Sequence, residues 1–228
     1  MSGAQAKNSR RRPPLDREII ITAAIDLAAT GAAITFRSLG KALGTDPTAV
    51  YRHFRDREEL MQGVLDRLIT VAQAQIDHEA PWRDQLRDGA TAIIEVLAAH
   101  PWAGVEATTI TTGGPGELEA INWILTQLER AGLDKRQAVR FYAAYSSFVL
   151  GAAAARSRHR LSGEEESGAT WIGEVRALEA ARLPALAAVL PELLALSDRD
   201  VFLTGVDILL DSVVAGVSGA TAEDEQPG

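Results

Sequence analysis

The chain has 228 residues, 46% hydrophobic and 24% charged, enough for one or two domains with a buried core. It has no cysteine, which excludes disulfides, thiol catalysis and cysteine-ligated zinc and fits a reducing cytoplasm. No apolar run approaches the roughly 20 residues of a membrane span, and polar Met1–Arg12 lacks the apolar core of a secretory signal.

The net charge of −8 argues against a general nucleic-acid coat, but it is unevenly spread. Residues 1–60 hold ten Lys/Arg against seven Asp/Glu, a net of +3, and the remainder carries −11. A basic head on an acidic body implies that a polyanion meets only the head. Met1–Pro14 reads as a disordered arm carrying Lys7, Arg10, Arg11 and Arg12. Such an arm either contacts a DNA backbone or minor groove, or simply solubilises the chain.

Helical spacing recurs along the chain, and strand alternation is nearly absent. Ile20, Ala24 and Leu27 fall at i, i+4, i+7, with Gly31 as a stop. Thr35 is placed to cap a second helix whose Leu39 and Leu43 share a face. Gly44 permits the positive φ of a sharp exit. Asp46 then caps a third helix, with Pro47 at its first position. Asp56 and Glu59 read as a capping-box pair for a fourth, expected over residues 56–75, which carries Leu60, Val64 and Leu68 into the core. Trp82, Leu86, Ala90, Ile93 and Leu97 make the next stripe, followed by Leu118, Ile121, Leu125 and Leu128 with Gly132 beyond. Thr112–Gly116 is a loop. Asp134 and Gln137 read as a capping box for a helix with Phe141, Tyr145 and Phe148, running to about Arg160. Ser162–Gly168 is an acidic loop, and Pro184 and Pro191 cut the region after Trp171 into short pieces. Asp198 is placed to cap a last helix with Val201, Gly205, Ile208, Leu209, Ser212 and Val213. Residues 220–228 read as a disordered tail.

Two short helices joined by a glycine-containing turn have helix-turn-helix spacing. With Val50 and Phe54 inward, Thr48, Ala49, Tyr51, Arg52 and His53 are left toward solvent. They offer cationic donors, hydroxyls and a methyl for phosphates, base edges and a thymine methyl. No acid lies among them. Arg57 sits in the first turn of a helix, where the macrodipole disfavours a cation, and a phosphate bound there would account for it. An ordinary helical hairpin with a solvated face has the same spacing.

The stretch Leu39-Gly40-Lys41-Ala42-Leu43-Gly44, then Pro47–Phe54 with its Tyr51-Arg52-His53-Phe54, then Arg57-Glu58-Glu59-Leu60, resembles the DNA-binding domain of the tetracycline-repressor (TetR) family. The match covers about residues 15–66. The resemblance implies an all-α protein with a three-helix head over 15–66 and an effector-binding, dimerising body over 67–219. It makes Pro47–Phe54 the recognition helix and Arg37, Thr48, Ala49, Tyr51, Arg52, His53 and Arg57 the DNA contacts. Tyr51 and His53 are then phosphate holders, while Arg52, Thr48 and Arg37 are the candidates for base discrimination. Arg57 stands where the family usually has lysine and keeps the charge. Phe36 and Gly40 depart from the usual aliphatic and alanine and touch packing more than contact.

Arg87-Asp88-Gly89-Ala90 and Phe141-Tyr142-Ala143-Ala144-Tyr145 also resemble the body of the tetracycline-repressor branch. By that analogy a pocket for a small organic effector is expected among His100, Trp102, Thr108, Thr111, Trp123, Tyr142, Tyr145 and Trp171. Each of these also fits the role of a core residue with a satisfied polar tip. The branch uses a histidine in a metal-bridged site, but Pro101-Trp102 after His100 departs from it. His100 is therefore expected to cap a helix end, with no metal and no cofactor. The small residues Gly151–Ala155 and the Gly205/Gly216 pair suit either a dimer face or tight packing within the chain.

Enzyme signatures do not emerge. His78-Glu79 lacks the second histidine of a zinc-protease motif, Ser218 lacks a nucleophile-elbow frame, and Gly113–Gly116 is followed by Glu117 rather than Lys-Ser/Thr. The expectation is a cytoplasmic, homodimeric regulator, a repressor released from a near-palindromic operator by a small organic effector. Rival readings are an activator of the same family, a sequence-tolerant architectural DNA binder, and a helical enzyme with a vestigial head.

Overall fold

Asp16 opens the first helix. Its carboxylate accepts from the Ile19 N–H at 2.8 Å, satisfying a donor that has no partner inside the helix. The computed structural model describes residues 14–162 and 183–223, with side chains through 214. In chain order the helices are α1 (Arg17–Ala29), α2 (Phe36–Leu43), α3 (Pro47–Tyr51), α4 (Arg57–Gln73), α5 (Trp82–Ala99), α6 (Pro101–Glu106), α7 (Pro115–Arg130) and α8 (Lys135–Ser162). Beyond residue 182 come α9 (Pro184–Ala195) and α10 (Asp198–Glu223). The fold is all-α, with no strand among the described residues. The chain divides into two units, residues 1–60 and 61–228, and both that division and residue 66 fall inside α4. The basic cluster from Lys7 to Arg12, the acidic segment 163–168 and Trp171 lie outside the described residues, as do residues 224–228 of the expected tail.

In the N-terminal unit, Ile20, Ala24, Leu39, Val50, Phe54 and Leu60 are buried. The caps fall where the sequence puts them. Thr35 and Ser38 form a reciprocal capping box. Gly44 turns the chain at φ 62°. Asp46 accepts from the Thr48 N–H at 2.8 Å, ahead of Pro47. α3 is shorter than the expected Pro47–Phe54. It ends at Tyr51, and a turn carries Phe54 into the core. The reason is that the next helix begins too soon: Asp56 already accepts from the Glu59 N–H at 2.8 Å. The His53 carbonyl, which a longer helix would pair internally, accepts from Arg17 instead.

Arg17 ties this unit together, and the periodicity of α1 gave no hint of it. Its guanidinium lies 4.1 Å from the Phe54 ring centre and donates to Glu59 Oε1 at 2.8 Å. Glu59 reaches one residue further back than the expected capping box, to the Arg55 N–H at 2.8 Å. That bond first, then Arg17, pulls its carboxyl from 4.5 down to about 2. A carboxyl lowered on folding stabilises the fold above its unfolded value and loses that effect as pH falls through its folded value. Glu59→Gln is therefore expected to melt lower than the parent at pH 7. The two melting curves should converge between pH 4.5 and about 2. A constant difference across that range would contradict the assignment.

In the second unit α5, α7 and α8 pack on one another, α6 packs on α8, and α10 covers α5 and α8. On α5 the expected Leu86, Ala90 and Leu97 are buried. The α7 face is rotated from the expected one. Leu128 is buried as expected, but it is joined by Ile124 and Gln127, whereas Leu118 is 59% exposed. Asp134 and Gln137 form the expected box, with N–H bonds of 2.8 and 3.0 Å in the two directions. The last helix departs from its expected cap and face. Ser197, not Asp198, accepts from the Asp200 N–H, and its hydroxyl donates to the Asp200 carboxylate at 2.6 Å. Phe202, Val206, Leu210 and Val213 face inward, leaving Val201 40% and Ile208 63% exposed. Two contacts select that face: Phe202 stacks on Phe148, and Arg87 holds Asp207 through a forked pair at 2.9 and 3.3 Å. Pro191 does not break the chain as expected but lies inside α9.

Of the small-residue positions, Gly205 is packed within the chain, since a Cβ there would meet Phe148 Cζ at 2.2 Å. Gly151 has open space beside it. Gly104 of α6 faces Ser157 of α8, where a Cβ would meet Oγ at 2.0 Å. The Ser157 hydroxyl is fully buried without a hydrogen-bond partner among the described residues. An unpaired buried hydroxyl costs about 1–3 kcal/mol, and alanine is the better helix former. Ser157→Ala is thus expected to stabilise the protein by about 1 kcal/mol, and an unchanged or lowered melting temperature would count against it.

Candidate functional site

The N-terminal unit leaves most of the expected DNA-contact residues open to solvent. Arg37, Thr48, Tyr51, Arg52 and Arg57 are exposed, and Ala49 and His53 are half-buried. All come from α2, α3, the turn after α3 and the start of α4. Two are also committed locally. The Tyr51 ring packs edge-on against Phe36 at 4.4 Å, so its hydroxyl is delivered on a fixed ring. The Thr48 hydroxyl donates to Asp46 Oδ1 at 2.6 Å, which leaves its oxygen to accept rather than donate. Asp46, its carboxyl lowered chiefly by Thr48, brings an acid to the edge of a face that the sequence suggested was free of them. The Arg52 side chain carries the charge nearest the end of α3.

The second unit holds a cavity of about 130 Å³ bounded by α4, α5, α7 and α8. Ile69 and Ile76 on the α4 side, Ile93 of α5, Ile121 of α7 and Val149 of α8 make it apolar. Gln73, Glu117, Trp123, Tyr142, Tyr145 and Ser146 supply its polar and aromatic groups. Three expected pocket residues, Trp123, Tyr142 and Tyr145, therefore meet here. His100, Trp102 and Thr108 are not among its lining, and Thr111 is not either.

The two best-held aromatic groups are fixed by backbone and amide partners. Trp123 donates its indole N–H to Gln85 Oε1 at 3.1 Å. Gln85 is 1% exposed, and its own amide donates to the His78 and Ala80 carbonyls at 2.9 and 2.7 Å. The indole rests on Gly89, where a Cβ would come within 2.6 Å of Cη2. The Tyr145 hydroxyl donates to the Leu86 carbonyl, and burial pushes its pKa up, so it is neutral and occupied. Gln85 and Gly89 were not singled out from sequence as parts of this wall, because neither advertises an aromatic neighbour in a different helix.

His100 stands at a helix end as expected, though it caps with its backbone and not its ring. Its backbone ends α5 and its carbonyl starts α6, but the ring makes no cap bond. Burial lowers its pKa, which favours the neutral ring. No group of three or more metal-ligating side chains occurs among the described residues.

The Thr112–Gly116 loop is built around one carboxylate. Asp66 of α4 accepts from the Gly116 and Glu117 N–H groups at 3.1 and 2.9 Å, capping α7 from another helix. It also lies 3.0 Å from the Thr112 hydroxyl. Gly114 and Gly116 are glycine because a Cβ at either would come within 2.4–2.6 Å of Asp66 atoms. Glu117 Oε2 lies 2.9 Å from the same Thr112 hydroxyl and accepts from the Gly113 N–H at 2.7 Å. The loop was legible in the sequence, but its partner, some fifty positions upstream, was not.

Comparison with known proteins is consistent over both units. A family model described as tetracycline repressor-like, C-terminal domain, matches residues 77–217. A helix-turn-helix-type transcriptional regulator of Saccharopolyspora erythraea is 28% identical over 187 residues, 81% of this chain and 79% of that protein. A helix-turn-helix-type transcriptional repressor of Mycobacterium tuberculosis, Rv1353c, is 28% identical over 193 residues, 79% of this chain and 72% of that protein. The Streptomyces coelicolor TetR family protein ActR, solved in complex with actinorhodin, shares the fold at a TM-score of 0.75 and 21% identity. That match covers 90% of this chain and 99% of that one.

Proposed function

The chain belongs to the tetracycline repressor-like family of DNA-binding transcriptional regulators, which are not enzymes, and from that premise we propose that it is an effector-released repressor. The observation that carries the reading is the pairing of expected DNA-contact residues left open to solvent on α2–α3 with an apolar cavity that α4 helps to line. Arg37, Thr48, Ala49, Tyr51, Arg52, His53 and Arg57 are the proposed DNA contacts. Tyr51 and His53 hold phosphates, and Arg52 and Arg37 discriminate bases. Thr48 reads as an acceptor.

One short recognition helix reads few bases. The protein works as a homodimer in the cytoplasm, on a near-palindromic operator with half-sites about 34–36 Å apart or a multiple of that. Exposed Val201 and Ile208 on α10, and open space beside Gly151 on α8, support a partner on that side. The effector is a small organic molecule in the cavity. A ligand that binds better to one setting of α4 draws the population away from the operator-competent form. The precedent of a ligand complex in ActR supports a cavity of this kind as an effector site.

Selection of genomic fragments on the purified protein, with excess nonspecific competitor at near-physiological salt, tests this. An enriched near-palindrome supports the specific regulator. Binding that only tracks salt, with no enrichment, supports a sequence-tolerant architectural protein instead.

A further inference from the structure

The cavity has a charge as well as a shape. Two of its three aromatic residues have their polar atoms committed: the Trp123 N–H is given to Gln85 and the Tyr145 hydroxyl to Leu86. Glu117 is the charged side chain among its described lining residues. Its Oε2 accepts from Gly113, while Oε1 takes part in no hydrogen bond among the described residues. The Thr112 hydroxyl stands 2.9 Å from Glu117 and 3.0 Å from Asp66, but it has one proton to give. One of the two carboxylates therefore faces that oxygen without a hydrogen between them. The edge of the cavity carries negative charge that the protein's own donors do not fully answer, beside a fixed indole and the Tyr142 ring.

We infer that the cavity takes a flat aromatic molecule bearing a protonated amine, with the rings against Trp123 and Tyr142 and the ammonium at Glu117. The inference rests on the reading of this cavity as the effector site. A cation gains from the carboxylate and from the ring faces together. An anion of the same shape meets Glu117 in a setting less polar than water, where repulsion is less screened.

The test uses three molecules that differ in charge on one ring system: 2-naphthylmethylammonium, 2-naphthylmethanol and 2-naphthylacetate. Each is titrated calorimetrically into the full-length protein at pH 7. The expected order is ammonium, alcohol, acetate, with the ammonium at least about tenfold tighter than the acetate. Glu117→Gln keeps an acceptor for the loop and is expected to bring the ammonium within about threefold of the alcohol. An acetate that binds as tightly as the ammonium overturns the charge assignment and leaves the cavity as the effector site. An ammonium preference that survives Glu117→Gln in full overturns the role of Glu117. No binding of any of the three at millimolar concentration overturns the cavity reading itself, and the inference with it. The ranking on the parent protein decides the matter even if the variant folds poorly.

Discussion

Arg52→Ala is expected to lose operator-specific binding while helix content and oligomeric state stay unchanged. Arg52 is exposed and comes directly after α3, so its removal leaves no buried group unpaired. A lost bidentate base contact costs about 1–3 kcal/mol, and a two-fold complex loses it twice, so affinity should fall by at least about 30-fold. Nonspecific binding should fall far less, because it is carried by the summed phosphate contacts. The comparison that isolates a phosphate contact is Tyr51→Phe. It keeps the ring against Phe36 at 4.4 Å and removes only the hydroxyl. Tyr51→Ala would also unpack Phe36, so a loss there would mix folding with binding. Fluorescence anisotropy on the selected operator and on a scrambled duplex reads all of this. If Arg52→Ala binds the operator as the parent does, the recognition-helix assignment is wrong.

Asp66→Ala is expected to cost the second unit about 2–3 kcal/mol, read by urea unfolding of the full chain. The carboxylate answers the Gly116 and Glu117 N–H groups at the start of α7, and alanine offers them nothing. Gly116→Ala should also be destabilising, by about 1–3 kcal/mol. The new Cβ would stand 2.6 Å from the Asp66 carbonyl oxygen and 2.6 Å from Thr70 Oγ1, and the backbone cannot give way cheaply. Gly113 is the contrasting position. Its φ is 62°, and no atom lies within 4 Å of where a Cβ would stand. Asn tolerates that backbone region, so Gly113→Asn should cost less than about 1 kcal/mol. Equal costs at Gly113 and Gly116 would show that the loop is not shaped around Asp66.

The two units differed in how far they could be read in advance. In the head, the caps of α2 and α3, the turn and the inward Ile20, Ala24, Leu39, Val50 and Phe54 were legible, because each is set within four or five positions along the chain. Thr35, Gly44, and Asp46 with Pro47 are such cases. The end of α3 was misjudged because the next helix, capped by Asp56, begins so soon after it, and Arg17, thirty-six positions away, takes the His53 carbonyl. In the body the faces of α5 and α8 were legible, with Leu86, Ala90 and Leu97 and with Phe141 and Tyr145 buried as expected, but those of α7 and α10 were not. Periodicity on α7 and α10 offers two apolar faces about a residue apart. Phe148 stacking on Phe202, and Arg87 gripping Asp207, chose between them on α10.

The pocket candidates show the same divide. Composition and resemblance pointed to aromatics in the body, and Trp123, Tyr142 and Tyr145 do meet at one cavity. His100, Trp102 and Thr108 belong to the α5–α6 junction and the segment after it, and nothing in their local pattern marks that difference. Sequence by itself determined most of the helices, though not α6 or α9, the caps of α2, α3, α4 and α8, the charge split between head and body, and the family motif, since these are written in near neighbours. The tertiary structure alone decided which faces of α7 and α10 are buried, which aromatics share a cavity, and that Asp66 and Gln85 hold its walls. Those outcomes depend on side chains tens of positions apart reaching one another, and helical periodicity carries no information about distant partners.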